Sequence, residues 1–94
     1  MAHDHLLRRL REKIWKQEYV VTTHARAEMV EDDLDRFDIE LAVLSGRIIE
    51  RQRDENSGEW KYRVRGISVN EEDIEVIVKF GPTGKLVFIT VYLP

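Results

Sequence analysis

Residues 73–93 read DIEVIVKFGPTGKLVFITVYL, and their reading decides the fold. Ile74, Val76, Val78 and Phe80 alternate with Glu75, Ile77 and Lys79, then Gly81-Pro82-Thr83-Gly84 interrupts, then Leu86 to Leu93 runs almost wholly apolar. This predicts two strands joined by a turn, with period 2 plain in the first and masked in the second by apolar residues at both parities. A strand that is apolar on both faces belongs inside a sheet, so the rest of the chain is expected to organise around Leu86 to Tyr92.

Working back from that hairpin, Ile48 to Asp54 and Trp60 to Val69 predict two more strands around a turn at Asp54-Glu55-Asn56-Ser57-Gly58. The connections among these four strands are too short for a crossover, so an antiparallel meander is expected. Gly66, inside the long strand, suggests a bulge or bend. Upstream, Leu34, Asp35, Asp38 and Ile39 spell a helix start: Asp35 caps, Asp38 reaches back, and Leu34 staples onto Ile39. The helix carries Ile39, Ala42 and Val43 inward, and Gly46 is expected to end it as a left-handed residue. Before it, Thr22 or Thr23 caps a helix from about His24 to Asp32, and Tyr19 to Thr22 predicts a short extended segment. Leu6, Leu7, Leu10 and Ile14 recur at helical spacing among Arg8, Arg9, Arg11 and Lys13, which predicts an amphipathic helix over about 4–17.

The expected architecture is α+β, with two or three N-terminal helices packed on a twisted, mainly antiparallel sheet. Ninety-four residues allow a single domain, 1–94, made of the N-terminal amphipathic helix (1–17) and a helix-helix-sheet core (18–93). No apolar run is long enough for a membrane span or a signal core, and with no cysteine the chain suits a reducing cytoplasm. The glycines form no phosphate-cradling pattern, so no cofactor is expected. The acids from Glu28 to Glu40 show no ligand spacing, so they read as a solvated face and no metal is expected. A formal charge of −3 argues against a general nucleic-acid coat protein but leaves room for a local basic field.

That local field has named candidates. Arg51, Arg53, Lys61, Arg63 and Arg65 put five positive charges on two adjacent strands, either as a phosphate-binding surface or as a solvent face paired with Glu50, Asp54 and Glu59. Trp60 and Tyr62 alternate with the basic residues, which places them under the helices as core, the alternative being stacking platforms for bases. His24, at a helix start, suits a general acid or base; placement there disfavours its charged form. Its other reading is a packing residue hydrogen-bonded to a carboxylate. Tyr92 is either a hydroxyl for proton or phosphate transfer or the edge of the core.

The run Val21-Thr22-Thr23-His24-Ala25-Arg26-Ala27-Glu28-Met29, the capped helix ending Leu44-Ser45-Gly46 and the strand start Ile48-Ile49-Glu50 together resemble the bacterial family catalogued as domain of unknown function 4258. Val76 to Phe80 and Val87 to Tyr92 are similar to it as well, and the likeness covers roughly residues 17–92. That family is similar in turn to compact ribonuclease toxins of the RelE/ParE and BrnT kind. The resemblance implies a toxin-like scaffold, metal-independent RNA cleavage with His24, Arg51, Arg63 and Tyr92 in the catalytic roles, and RNA and a small antitoxin-like protein as partners. Where many relatives have Arg late in the first motif, this chain has Met29. The competing reading is a non-catalytic protein- or nucleic-acid-interaction module on the same scaffold, in a homo-oligomer or a complex.

Overall fold

A computed structural model describes residues 4–94 as three helices and five strands in one mixed, open sheet, so the α+β reading holds. The order is α1 (Asp4–Trp15), β1 (Tyr19–Val21), α2 (Thr23–Glu31), α3 (Arg36–Ser45), β2 (Arg47–Arg53), β3 (Trp60–Ile67), β4 (Asp73–Phe80) and β5 (Leu86–Tyr92). In space the strands run β1-β5-β4-β3-β2. β1 is parallel to β5 and every other pairing is antiparallel. Among the described residues no helix is long and apolar enough to cross a membrane.

β5 lies inside the sheet, but only one of its faces is sealed. Leu86, Phe88 and Val91 are fully buried beneath the helices together with Val64, Ile74, Val76 and Val78, and Leu10, Ala25, Ile39, Ala42 and Val43 come down from the helices to meet them. Val87, Ile89 and Thr90 are only half-buried. Phe88 and Val91 share the helix side despite their odd spacing because β5 carries an extra residue at Ile89: Val78 faces Phe88 while Ile77 faces Thr90.

The capping box at α3 forms as its residues dictate. Asp35 accepts from the Phe37 and Asp38 amides, and the Asp38 carboxylate accepts from the Asp35 amide at 2.9 Å. Thr22, the earlier of the two threonines, caps α2 by accepting from the Ala25 amide at 3.0 Å.

Both glycine expectations need correcting. Gly46 is extended, not left-handed (φ −90°, ψ −176°), and Gly66 keeps regular pairing with Ile74 without a bulge. Each is glycine because α3 presses on the sheet there: a Cβ would lie 2.3 Å from the Ala42 carbonyl oxygen at Gly46 and 2.2 Å from it at Gly66. The left-handed helix stops belong to Gln17 (φ 57°) after α1 and Asp33 (φ 55°) after α2. At each, two amides fold back on the last turn, Gln17 to Ile14 and Glu18 to Lys13, then Asp33 to Val30 and Leu34 to Met29.

Candidate functional site

The β2–β3 hairpin decides where the charged side chains go. Its turn is locked by Asp54, whose carboxylate accepts the Asn56 and Ser57 amides at 2.8 and 3.1 Å, and by Gly58 at φ 74°. These amides hold the Asp54 carboxyl below the usual carboxylate range. From the turn back, Arg53 faces Trp60, Gln52 faces Lys61, Arg51 faces Tyr62 and Glu50 faces Arg63. The ladder then slips by one at Ile49, so that Ile48 faces Val64 and Arg47 faces Arg65. Directly opposed residues share a face. The five basic residues are therefore divided: Lys61, Arg63 and Arg65 lie on the open face, Arg51 and Arg53 on the helix side with Trp60 and Tyr62.

On the open face every one of the three is held by carboxylates. Glu75, only 1% exposed, is gripped by Arg63 through Nε at 3.3 Å and Nη2 at 3.2 Å, while Arg63 Nη1 reaches Glu50 at 3.2 Å. Arg65 bonds Asp73 at 3.2 Å and stands 4.0 Å from Glu75; Lys61 pairs with Asp54 at 3.5 Å, and the neighbouring Lys79 with Glu59 at 3.2 Å. Burial pushes the Glu75 carboxyl up, but the Tyr92 hydroxyl and the Arg63 guanidinium outweigh it, and the group sits below the ordinary glutamate value. Burial and the bond to Glu75 raise Tyr92. Arg63 is raised by its bonds to Glu75 and Glu50. In this network five carboxylates (Glu50, Asp54, Glu59, Asp73, Glu75) interlock with four cations, so it offers an incoming phosphate no spare positive charge.

The other face is the reverse. Trp60 is 39% exposed, a correction to the expectation that it packs under the helices. The Arg51 guanidinium lies over its ring at 4.4 Å from the centroid and that of Arg53 at 5.8 Å. Beside them Tyr62, half-buried and packed on the core as expected, meets Phe80 edge to face at 6.4 Å, and Arg9 of α1 lies over Phe80 at 4.4 Å. Arg53, Trp60, Arg51, Tyr62, Phe80 and Arg9 thus form one run of three cations and three rings, with Tyr62 and Phe80 adjacent. Among the described residues, Arg9, Arg51 and Arg53 make no ion pair.

The four residues given catalytic roles fall in three places. Arg63 and Tyr92 meet at Glu75 on the open face, and Arg51 lies on the opposite face. The His24 side chain, 70% exposed, pairs within its own helix with Glu28 (Nε2 to Oε1, 3.4 Å), and that same oxygen accepts the Val91 amide at 3.0 Å. Met29, where the resemblance led one to expect an Arg, is a core residue at 7% exposure. Sequence reasoning passed over Glu75, Arg9 and Phe80. The one available signal was Glu75 itself, an acid alternating with Ile74 and Val76 beside a strand bearing cations at 61, 63 and 65.

No curated protein and no solved structure matches the chain. Residues 21–93 match the family described as a domain of unknown function (DUF4258), a span that takes in Trp60, Arg51, Arg53 and the Glu75 network and leaves out α1 with Arg9. The match covers well over half of the chain, which therefore belongs to that family.

Proposed function

We propose that this protein binds single-stranded RNA on the cation–aromatic surface at the end of the β2–β3 hairpin. The observation that supports it is the half-exposed Trp60 ring flanked by the guanidiniums of Arg51 and Arg53. A strand of unpaired bases needs ring faces to stack on and unspent positive charge for its phosphates. Here both occur together, whereas on the open face Lys61, Arg63 and Arg65 are consumed by carboxylates, and Arg47, the cation left over, has no ring beside it. A guanidinium lying on a ring still presents its N–H edge outward, so Arg51 and Arg53 can hold phosphates while the indole takes a base. The overall charge of −3 fits a local binding surface better than a coat. RNA as the ligand fits the cytoplasmic setting that the absence of cysteine suggested.

RNA cleavage on a RelE/ParE-like scaffold is the second reading, favoured by the convergence of Arg63 and Tyr92 on Glu75. Its electrostatics are less apt: a guanidinium fixed between two carboxylates has little left to stabilise charge growing on phosphorus.

The test uses a Trp15→Phe background, in which Trp60 is the remaining tryptophan and reports directly. Short mixed-sequence RNA is expected to quench its fluorescence. Trp60→Ala, read by anisotropy of labelled RNA, should weaken binding by about 1–3 kcal/mol, roughly 5- to 150-fold. Arg51→Gln with Arg53→Gln should flatten the salt dependence by about 1.4 in log–log slope, ~0.7 for each lost phosphate contact. Unquenched Trp60, or unchanged affinity in both variants, overturns the proposal. The same mixtures in chelator, run on a gel beside His24→Gln, test cleavage: products from the wild type alone would support the second reading, and intact RNA throughout would remove it.

A further inference from the structure

The two edges of the sheet are built differently. β2 is a guarded edge, with Arg47, Glu50, Arg51, Gln52 and Arg53 along it and a bulge at Ile49, devices that discourage another strand from pairing. β1 reads Tyr19-Val20-Val21, with no charge, proline or bulge. Its inner side pairs with β5, and the ladder is extended at its two ends by the Leu86 amide to the Glu18 carbonyl at 3.0 Å and the Thr22 amide to the Phe88 carbonyl at 3.1 Å. Backbone groups alternate along a strand, so the amides and carbonyls of Tyr19 and Val21 point outward from the sheet.

Beside this edge lies a groove of about 630 Å³ between β1 and the α2–α3 corner. Val21, Met29, Val30 and Leu34 give it an apolar wall, and Val30 stands 77% exposed. Arg26 and Arg36 line it too, neither in an ion pair among the described residues. Asp35, the one acid among its lining residues, caps α3, and Glu40 nearby accepts from the Tyr19 hydroxyl at 2.5 Å; Glu31, Asp32 and Asp33 of the corner are exposed and do not line it.

We infer that the β1 edge is a docking site for an extended, acidic segment of a partner protein, which adds a strand against Tyr19 and Val21. Because side chains alternate along the added strand, one of its faces looks into the groove. That face carries an apolar residue for the Val21–Met29–Val30 wall and carboxylates for Arg26 and Arg36. Self-pairing of two β1 edges fits less well, because antiparallel pairing would bring the arginines of both copies to the same side of the joined sheet. β1 and β2 are opposite edges, so the partner leaves Trp60 uncovered and the site stands independently of RNA binding.

The test is titration of isotope-labelled protein with the blocked peptide Glu-Thr-Val-Thr-Glu, beside Lys-Thr-Val-Thr-Lys, followed by amide shifts and hydrogen exchange. The acidic peptide is expected to bind, to slow exchange at the Tyr19 and Val21 amides, and to be preferred over the basic one by about tenfold or more. Arg26→Glu with Arg36→Glu should reverse the preference without unfolding the protein, since both side chains lie on the surface. Binding of neither peptide, equal binding of both, or protection elsewhere overturns the inference. So does peptide-independent dimerisation abolished by Val20→Lys, which would give the edge to a second copy.

Discussion

Arg63→Met tests the central electrostatic claim, that Glu75 is tolerated inside the sheet because of what grips it. Methionine keeps much of the aliphatic bulk and removes the guanidinium. Glu75, at 1% exposure, would keep the Tyr92 hydroxyl and Arg65 at 4.0 Å, and would lose both bonds from Arg63. Truncating one partner of a buried pair costs about 3–5 kcal/mol. The Arg63 side chain is itself 37% exposed and Arg65 remains, so solvent screening brings the expected loss to about 2–3 kcal/mol. At ~4–8 °C per kcal/mol for a domain of this size, the melting temperature should fall by roughly 8–24 °C. The pH dependence carries a second sign. In the wild type the Glu75 carboxyl lies below its unfolded value of 4.5, so its contribution is full above that pH and is lost as pH falls through the folded value. In Arg63→Met burial is less opposed and the carboxyl rises, so acid relieves the variant while it weakens the wild type. Urea titrations followed by circular dichroism should show the gap between them at neutral pH and its narrowing in acid, beginning above the ordinary value of 4.5 as the variant's carboxyl protonates and ending below it as the wild type's does. Adding Glu75→Gln to Arg63→Met should restore part of the loss. A neutral-pH cost under about 0.5 kcal/mol, the range of ordinary surface substitutions, or a gap that does not narrow in acid, refutes the reasoning.

Gly66→Ala would set a Cβ 2.2 Å from the Ala42 carbonyl oxygen and 2.9 Å from its carbon, both backbone, so α3 must lift from β3; a loss of about 1–3 kcal/mol or more in urea titration is expected, and wild-type stability would mean that the helix is not pinned there. Asp38→Ala removes acceptors from two amides at 2.9 Å, Asp35 within the cap and Val69 beyond β3, and should cost about 2–4 kcal/mol, with Asp38→Asn recovering part; an Ala variant within about 0.5 kcal/mol of wild type would show that neither bond matters.

Local grammar was the legible part of this sequence. The reciprocal Asp35–Asp38 cap, the leucine stripe of α1 and the alternation of Ile74, Val76 and Val78 depend on residues within one or two turns or strand repeats of each other, and all were read correctly. What failed depends on distant partners. Gly46 and Gly66 follow glycine's habits at helix ends and bulges when viewed alone. Their cause is Ala42, a packing contact with no local signature. The first two helices end within two residues of the expected places, but the residues that stop them went unnamed: Gln17 and Asp33 adopt a left-handed conformation that glycine usually signals, held there by amides folding back on the preceding turn.

The candidate site was half legible for a related reason. Its residue types were visible, but their assembly turns on one residue, Ile49. With unbroken pairing from Ile48, which faces Val64 on the helix side, strand parity would keep Glu50 and Gln52 on that side and send Arg51 and Arg53 to the open face. Trp60 would then stand beside Glu50 or Gln52, and two more arginines would join the carboxylates around Glu75. The extra residue reverses this. It places Glu50 where it completes the grip on Arg63, and it brings both unpaired arginines to the exposed indole. A bulge in a hairpin closed by a well-formed turn is invisible to period-2 reading, since either register satisfies Ile48. The two faces, one laced with ion pairs, the other cationic and aromatic, are thus products of register more than of composition.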